Sequence, residues 1–162
     1  MGDRVTILKT HSGLVETKDS EIEKPIWRRP GFEGIRTMKE MERALASALR
    51  AAREGKRLTR QEFAQLLGLS WQVYGRYERA FSKMHVTRFI HVCEVLGLDP
   101  IKWLYTAAPH LFGGDVDEAR DRAALLEEIF KMPIGDLRAL LRIKRTLSAA
   151  AALASPSHPV TG

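Results

Sequence analysis

The amino-acid sequence predicts an all-α protein, with five short helices in the middle of the chain, a helical pair after them and an arm before them. Three observations carry that prediction. Thr37 with Glu40, and Thr59 with Glu62, each spell the T-x-x-E capping box, in which threonine and glutamate satisfy the free N–H groups of a helix start. Apolar residues recur at three- and four-residue spacing from Met41 to Leu147, the period of helices with one buried stripe. Glycines stand where those stripes stop, at Gly55, Gly68 and Gly97.

At 162 residues the chain has room for one ordinary domain, or a small one with appendages. It carries 26 Lys+Arg against 20 Asp+Glu, net +6, with a pI near 9.7. That balance suits an anionic partner, and its distribution says more. Arg50, Arg53, Lys56, Arg57, Arg60, Arg76 and Arg79 gather in one stretch, opposed there only by Glu54, Glu62 and Glu78, whereas Asp115 to Glu128 is acidic. The single cysteine, Cys93, excludes an intrachain disulfide and fits a reducing cytoplasm. No apolar run approaches the ~20 residues of a membrane span, and MGDRVTILKT has no signal-peptide pattern. A cytoplasmic, nucleoid-associated protein without a membrane partner is expected.

Residues 1–36 read as an arm and linker. RVTILKT alternates Val5 and Ile7 with polar residues and could turn through HSG into LVET as a weak hairpin. EKPIWRRPGFEG, with two prolines and two glycines, reads as a linker. Its Trp27, Arg28 and Arg29 are either an arm that follows DNA or a tether packed on the body. Residues 37–107 read as the central domain. Its first helix starts after Thr37, carries Met41, Leu45, Ala48, Leu49 and Ala52 on one face, and stops near Gly55. A second starts at Arg60 with Phe63, Ala64 and Leu67 as its stripe and ends at Gly68, expected to be left-handed. Ser70 caps a third that begins at Trp71. After the loop AFSKMH, a fourth helix turns Phe89, Val92, Cys93 and Leu96 inward. Asp99 and Pro100 open a fifth, in which Ile101, Leu104 and, less surely, Trp103 close the core. TAAPHLFGG reads as a loop. Residues 108–154 hold the helical pair, one stripe running through Ala119, Ala123, Leu126 and Phe130, the other through Leu137, Leu140, Leu141, Ile143 and Leu147. Residues 155–162 read as a disordered tail.

Two helices of about two turns joined by a short turn holding a glycine form the helix-turn-helix signature, whose second helix enters the DNA major groove. The run LTRQEFAQLLGLSWQVYGRYERA resembles the lambda-repressor-like (Cro, phage-repressor, XRE) family in register at Leu58, Thr59, Glu62, Ala64, Gly68, Ser70, Arg76, Tyr77 and Glu78. LRAAREGKR resembles the family's first helix and VCEVLGLDPIKWLY its fourth and fifth. The resemblance covers roughly Thr37 to Tyr105 and departs at three places. Gly75 lies inside the recognition helix, Ala80 replaces a closing glycine, and Arg57 replaces another. It implies a five-helix DNA-binding domain, a buried pair between Arg53 and Glu78, and base-reading positions at Trp71, Gln72 and Arg76. Glutamine can pair bidentately with adenine and arginine with guanine. Phosphate contacts are expected from Arg60, Lys83, Thr87 and Arg88, each also readable as a solvated surface charge. Tyr74 and Tyr77 read as core residues.

No enzyme pattern competes. His11, His85, His91, His110 and His158 are scattered without zinc-ligand spacing, and no phosphate loop or nucleophile elbow occurs. No cofactor or metal is expected. The stretch after the motif is too short for a ligand-sensing domain, whose pockets are ~300–1,000 Å³, so no small-molecule ligand is expected. The sequence reading is therefore a homodimeric repressor of double-stranded DNA. Its rival is a helix-turn-helix protein-interaction module that recruits or inhibits a partner, which Trp71 and Gly75 mildly favour.

Overall fold

The computed structural model describes residues 4–154, and helices begin where the caps predict. In α2 (Met38–Gly55) the Glu40 N–H donates to Thr37 Oγ1 at 3.2 Å, while the Thr37 N–H donates to Glu40 Oε2 at 2.7 Å. The same reciprocal box opens α3 (Arg60–Leu66) at Thr59 and Glu62. Ser70 accepts from Val73 N–H to start α4 (Trp71–Glu78). α5 runs Val86–Leu96, and Asp99 with Pro100 opens α6 (Pro100–Ala107), where Asp99 Oδ1 accepts from Ile101 N–H at 2.8 Å.

Four of these helices end alike. After each, the residue two or three beyond the helix closes a turn by donating its N–H five residues back. These bonds are Leu58 to Arg53 O, Leu69 to Ala64 O, Phe81 to Arg76 O and Leu98 to Cys93 O. The motif needs a left-handed residue just before the donor. Gly68 and Gly97 supply it cheaply, at φ 66° and 62°. Arg57 and Ala80 supply it at φ 58° and 53° despite their Cβ atoms, so the glycine departures in sequence leave the turn geometry unchanged and cost strain instead. Leu58, Leu69 and Leu98 then pack against the core, whereas Phe81 stays 69% exposed.

The core holds Leu49, Phe63, Ala64, Leu67, Tyr74, Val92, Leu96 and Trp103. Phe63 meets Tyr74 edge to face at 5.1 Å, which locks α3 against α4, and Phe89 lies 5.4 Å from Trp103. The last helix is phased differently from the sequence reading, with Trp103 buried and Leu104 46% exposed. Cys93 is buried, and that burial pushes its thiol up.

The N-terminal segment corrects the all-α expectation. RVTILKTH is helix α1 (Arg4–His11), not a strand. The hairpin comes later, from β1 (Val15–Asp19) and β2 (Ile22–Arg28), paired antiparallel with Val15 opposite Arg28 and Asp19 opposite Ile22. Pro25, read as linker, sits within β2, where a two-stranded sheet leaves each strand an edge that tolerates proline. Tertiary contacts decide the placement. Asp19 Oδ2 accepts from Met38 N–H at 2.8 Å, and Arg28 Nη2 contacts Met41 Sδ at 3.6 Å, so the hairpin is fastened to the start of α2. Lys9 Nζ lies 3.4 Å over the Trp27 ring.

After a 3-10 turn at Pro109–Leu111, α7 spans Val116–Lys131 and α8 spans Ile134–Ala154. Gly113 is required by space, because a Cβ there would lie 2.5 Å from the Ala119 nitrogen. The chain divides into two compact units, Met1–Glu127 and Glu128–Gly162. In α8, Ile134, Leu140, Leu141, Ile143 and Leu147 are exposed. Among the described residues no helix is long and apolar enough to cross a membrane. The disordered-tail expectation for 155–162, and His158 within it, lies outside the described residues.

Candidate nucleic-acid interface

Helix α4 is held from behind by one carboxylate. Glu78, whose side chain is 1% exposed, accepts from Arg53 Nε at 2.6 Å, Arg53 Nη2 at 3.3 Å, Tyr74 Oη at 2.7 Å and Arg60 Nε at 2.7 Å. Arg53 also donates through Nη1 to Leu58 O at 2.6 Å, which ties α2, the following turn and α4 together. Burial by itself would raise Glu78. The hydrogen bonds from Arg53, Tyr74 and Arg60 outweigh it and hold the carboxyl below the usual range. Burial and the neighbouring Glu78 push the Tyr74 hydroxyl well above its usual value, so it remains a donor. Arg53, hydrogen-bonded to Glu78, is shifted further up and stays charged.

The opposite face of α4 carries Trp71, Gln72, Val73 and Arg76. All four are exposed, Trp71 at 54%, and no hydrogen bond engages the side chains of Trp71, Gln72 or Arg76 among the described residues. Gly75 is buried within α4, yet a Cβ there would meet only Arg79 Nη2, at 3.9 Å. Arg79 lies back along the helix, donating Nε to Gly75 O at 3.0 Å, with its guanidinium 5.1 Å from the centre of the exposed Phe81 ring.

Three of the four residues read as phosphate contacts have partners inside the protein. Arg60 is bound to Glu78 while remaining 45% exposed. Lys83 is paired with Glu21 of the hairpin turn at 2.6 Å and with Glu42 at 3.5 Å, and the Glu21 bond raises its pKa. Arg88 donates to Leu67 O at 2.7 Å and lies 3.3 Å from His91 Nδ1. Thr87 is exposed.

Sequence reading missed the roles of Tyr74 and Arg60 in this network. A tyrosine one helical turn before Glu78 was a usable signal, since residues four apart share a face. Arg60 carried none, because its partner lies eighteen residues away.

These elements make a helix-turn-helix, with α3 and α4 as its two helices and α2, α5 and α6 around them. A family model described as a helix-turn-helix domain matches residues 44–102, and that stretch is such a domain. Among solved structures, the chain is similar to a crystal structure of the clp gene regulator ClgR from C. glutamicum. Identity is 28% over 41% of this chain and 87% of that one, with a TM-score of 0.39. A second crystal structure of ClgR from Corynebacterium glutamicum is 24% identical over 64% of this chain and 93% of that one, with a TM-score of 0.38. No curated protein sequence matches the chain.

Proposed function

We propose that this protein is a sequence-specific DNA-binding transcriptional regulator, a repressor whose helix α4 enters the major groove. The observation that carries the reading is the contrast within α4. Its back is fixed by the buried Glu78 network, and its front offers Gln72 and Arg76 with no hydrogen-bond partner among the described residues. Gln72 would read adenine and Arg76 guanine, with Trp71 against a thymine methyl or sugar. The five helices from Thr37 to Ala107 would form a lambda-repressor-like domain. Arg60, Lys83, Thr87 and Arg88 would contact phosphates, the three charged residues among them exchanging internal partners for the DNA backbone.

The protein would act as a homodimer through residues 108–154, since α8 leaves Ile143 58% and Leu147 66% exposed. Family dimers of this kind span half-sites about one helical turn, ~34–36 Å, apart. It would be a binder, with no catalytic role, working in the cytoplasm on the nucleoid.

Selection of bound fragments from random DNA, followed by titration of the winner at two salt concentrations, tests this. An inverted-repeat winner is expected, its affinity falling about 10³–10⁵-fold between 50 and 200 mM salt if six to ten phosphates are contacted. No enriched sequence would overturn it. The exposed apolar Leu66, Trp71, Val73 and Phe81 favour one second reading, a module that docks on another protein. Under it, replacing Trp71 or Phe81 would abolish partner capture while charge reversal at Arg60 and Lys83 would not.

A further inference from the structure

We propose that the cleft between the 31–36 segment, the first half of α2 and the end of α6 binds a small organic anion with a flat apolar body. The cleft is open on one side and measures about 700 Å³, within the range of small-molecule sites. Its apolar wall comes from Phe32, Ile35, Ala44, Tyr105 and Val116, with the Tyr105 ring braced edge to face against Phe112 at 5.5 Å.

Two features point to an anion. The first is His110, which lines the cleft at 7% exposure and forms no hydrogen bond among the described residues. Its ring nitrogens are not among the buried polar atoms left without a partner, so they are reached from the open space of the cleft and are available to an incoming group. Desolvation lowers its pKa, and Arg28, Arg29 and Arg36 lower it further, so it stands neutral in a field of positive charge. A second opening of about 410 Å³, lined by Arg29 and Asp115, is also bordered by His110.

The second feature is that field itself. Arg28, Arg29, Arg36 and Arg43 take part in no salt bridge among the described residues, and Arg28 Nη1 is buried without any acceptor. Arg36 is held at the rim by donating Nη1 to Thr106 O at 3.0 Å and Ala107 O at 3.2 Å, at the negative end of α6. Two carboxylates share the wall with Arg36 and Arg43: Glu33, and Glu40, whose hydrogen bonds are committed to the Thr37 cap although its charge still acts on both arginines. A carboxylate entering the cleft would find the Arg43 guanidinium, the N–H groups of Arg36 not donated to α6, and the His110 ring.

The backbone leaves room for that approach. Gly31 N–H donates to Gly34 O at 2.8 Å, closing a tight loop, and a Cβ on Gly31 would sit 2.9 Å from Gly34 O and 3.5 Å from His110 Nδ1. The approach to the Gly34 carbonyl is what requires glycine here, and the contact with the ring is an ordinary one.

The test uses the full chain and 2-naphthoate, with 2-naphthamide as its neutral counterpart. Calorimetry is expected to give one site per chain for the acid, with the amide binding about tenfold or more weakly, as loss of a charge-assisted hydrogen bond implies. Arg43→Gln, on an exposed position that should leave the fold intact, is expected to weaken the acid by a similar factor. Nitrogen-15 spectra should move the His110 ring signals. No binding at millimolar acid, equal affinity for the amide, an unaffected Arg43→Gln variant, or ring signals that stay still would each overturn the proposal. The inference does not depend on DNA binding, and none of these readouts involves DNA.

Discussion

The two faces of α4 differ in how their polar groups are satisfied. On the inner face, one carboxylate collects four hydrogen bonds from three side chains of α2, α3 and α4. On the outer face, glutamine, arginine and tryptophan side chains are exposed, with no hydrogen-bond partner among the described residues. A helix anchored this way can spend its exposed side chains on a ligand without losing its own position. On the proposed reading, stability and recognition fall to different residues of the same eight-residue segment.

If that division is real, inner and outer substitutions should separate cleanly. Glu78→Ala should have the largest effect, about 3–5 kcal/mol of destabilisation in urea melts, because it strands a buried Arg53 charge. The same site predicts acid sensitivity. A carboxyl held below its usual 4.5 contributes stability that is full above that value and is lost as pH falls through the folded pKa. In Glu78→Gln that part of the pH-dependent loss should vanish. Arg76→Ala should leave the melt unchanged but cost about 1–3 kcal/mol of discrimination at one base position, read by competition between selected and altered sites. Equal loss of stability in both variants would erase the distinction.

A smaller effect tests the end of the helix. Ala80→Gly should stabilise the domain by about 1 kcal/mol, seen as a raised melting midpoint, since φ 53° strains alanine and not glycine. The smallest is expected at the hairpin. Glu21→Gln should leave Lys83 only its longer pairing with Glu42, making it easier to transfer to a phosphate, and steepen the salt dependence of DNA binding by up to about one unit of slope. An unchanged slope would mean that Lys83 stays out of the interface.

The helix-turn-helix was readable because its signals are local. Capping boxes at Thr37 and Thr59, the Ser70 cap and the glycine turns act within three to five residues, so a short window holds the whole cause. The hairpin was not readable for the opposite reason. Val5 and Ile7 alternate like a strand yet lie in α1, while β2 carries a proline and gains its place from Asp19 reaching Met38 and Arg28 reaching Met41. Trp103 replaced Leu104 in the core because its ring meets Phe89, a contact invisible to spacing alone. The candidate interface was half legible. Its outward residues followed from position after the Ser70 cap, but the internal partners of Arg60, Lys83 and Arg88 are long-range and carry no sequence signature. The His110 cleft was hidden by the same difficulty, its wall from Gly31 to Arg36 having the composition of a linker.

The fastening of the hairpin to α2 bears on where this domain can be cut. The recognisable family segment starts at residue 44, inside α2, whereas the helix itself starts at Met38. A fragment trimmed to the segment would lose the Thr37 cap, the Asp19 carboxylate on Met38 and the Arg36 clamp on the end of α6. The heritable module and the mechanical one therefore have different edges. A surgeon of this protein should keep the hairpin from Val15 onward with the domain, not cut at the boundary that kinship suggests.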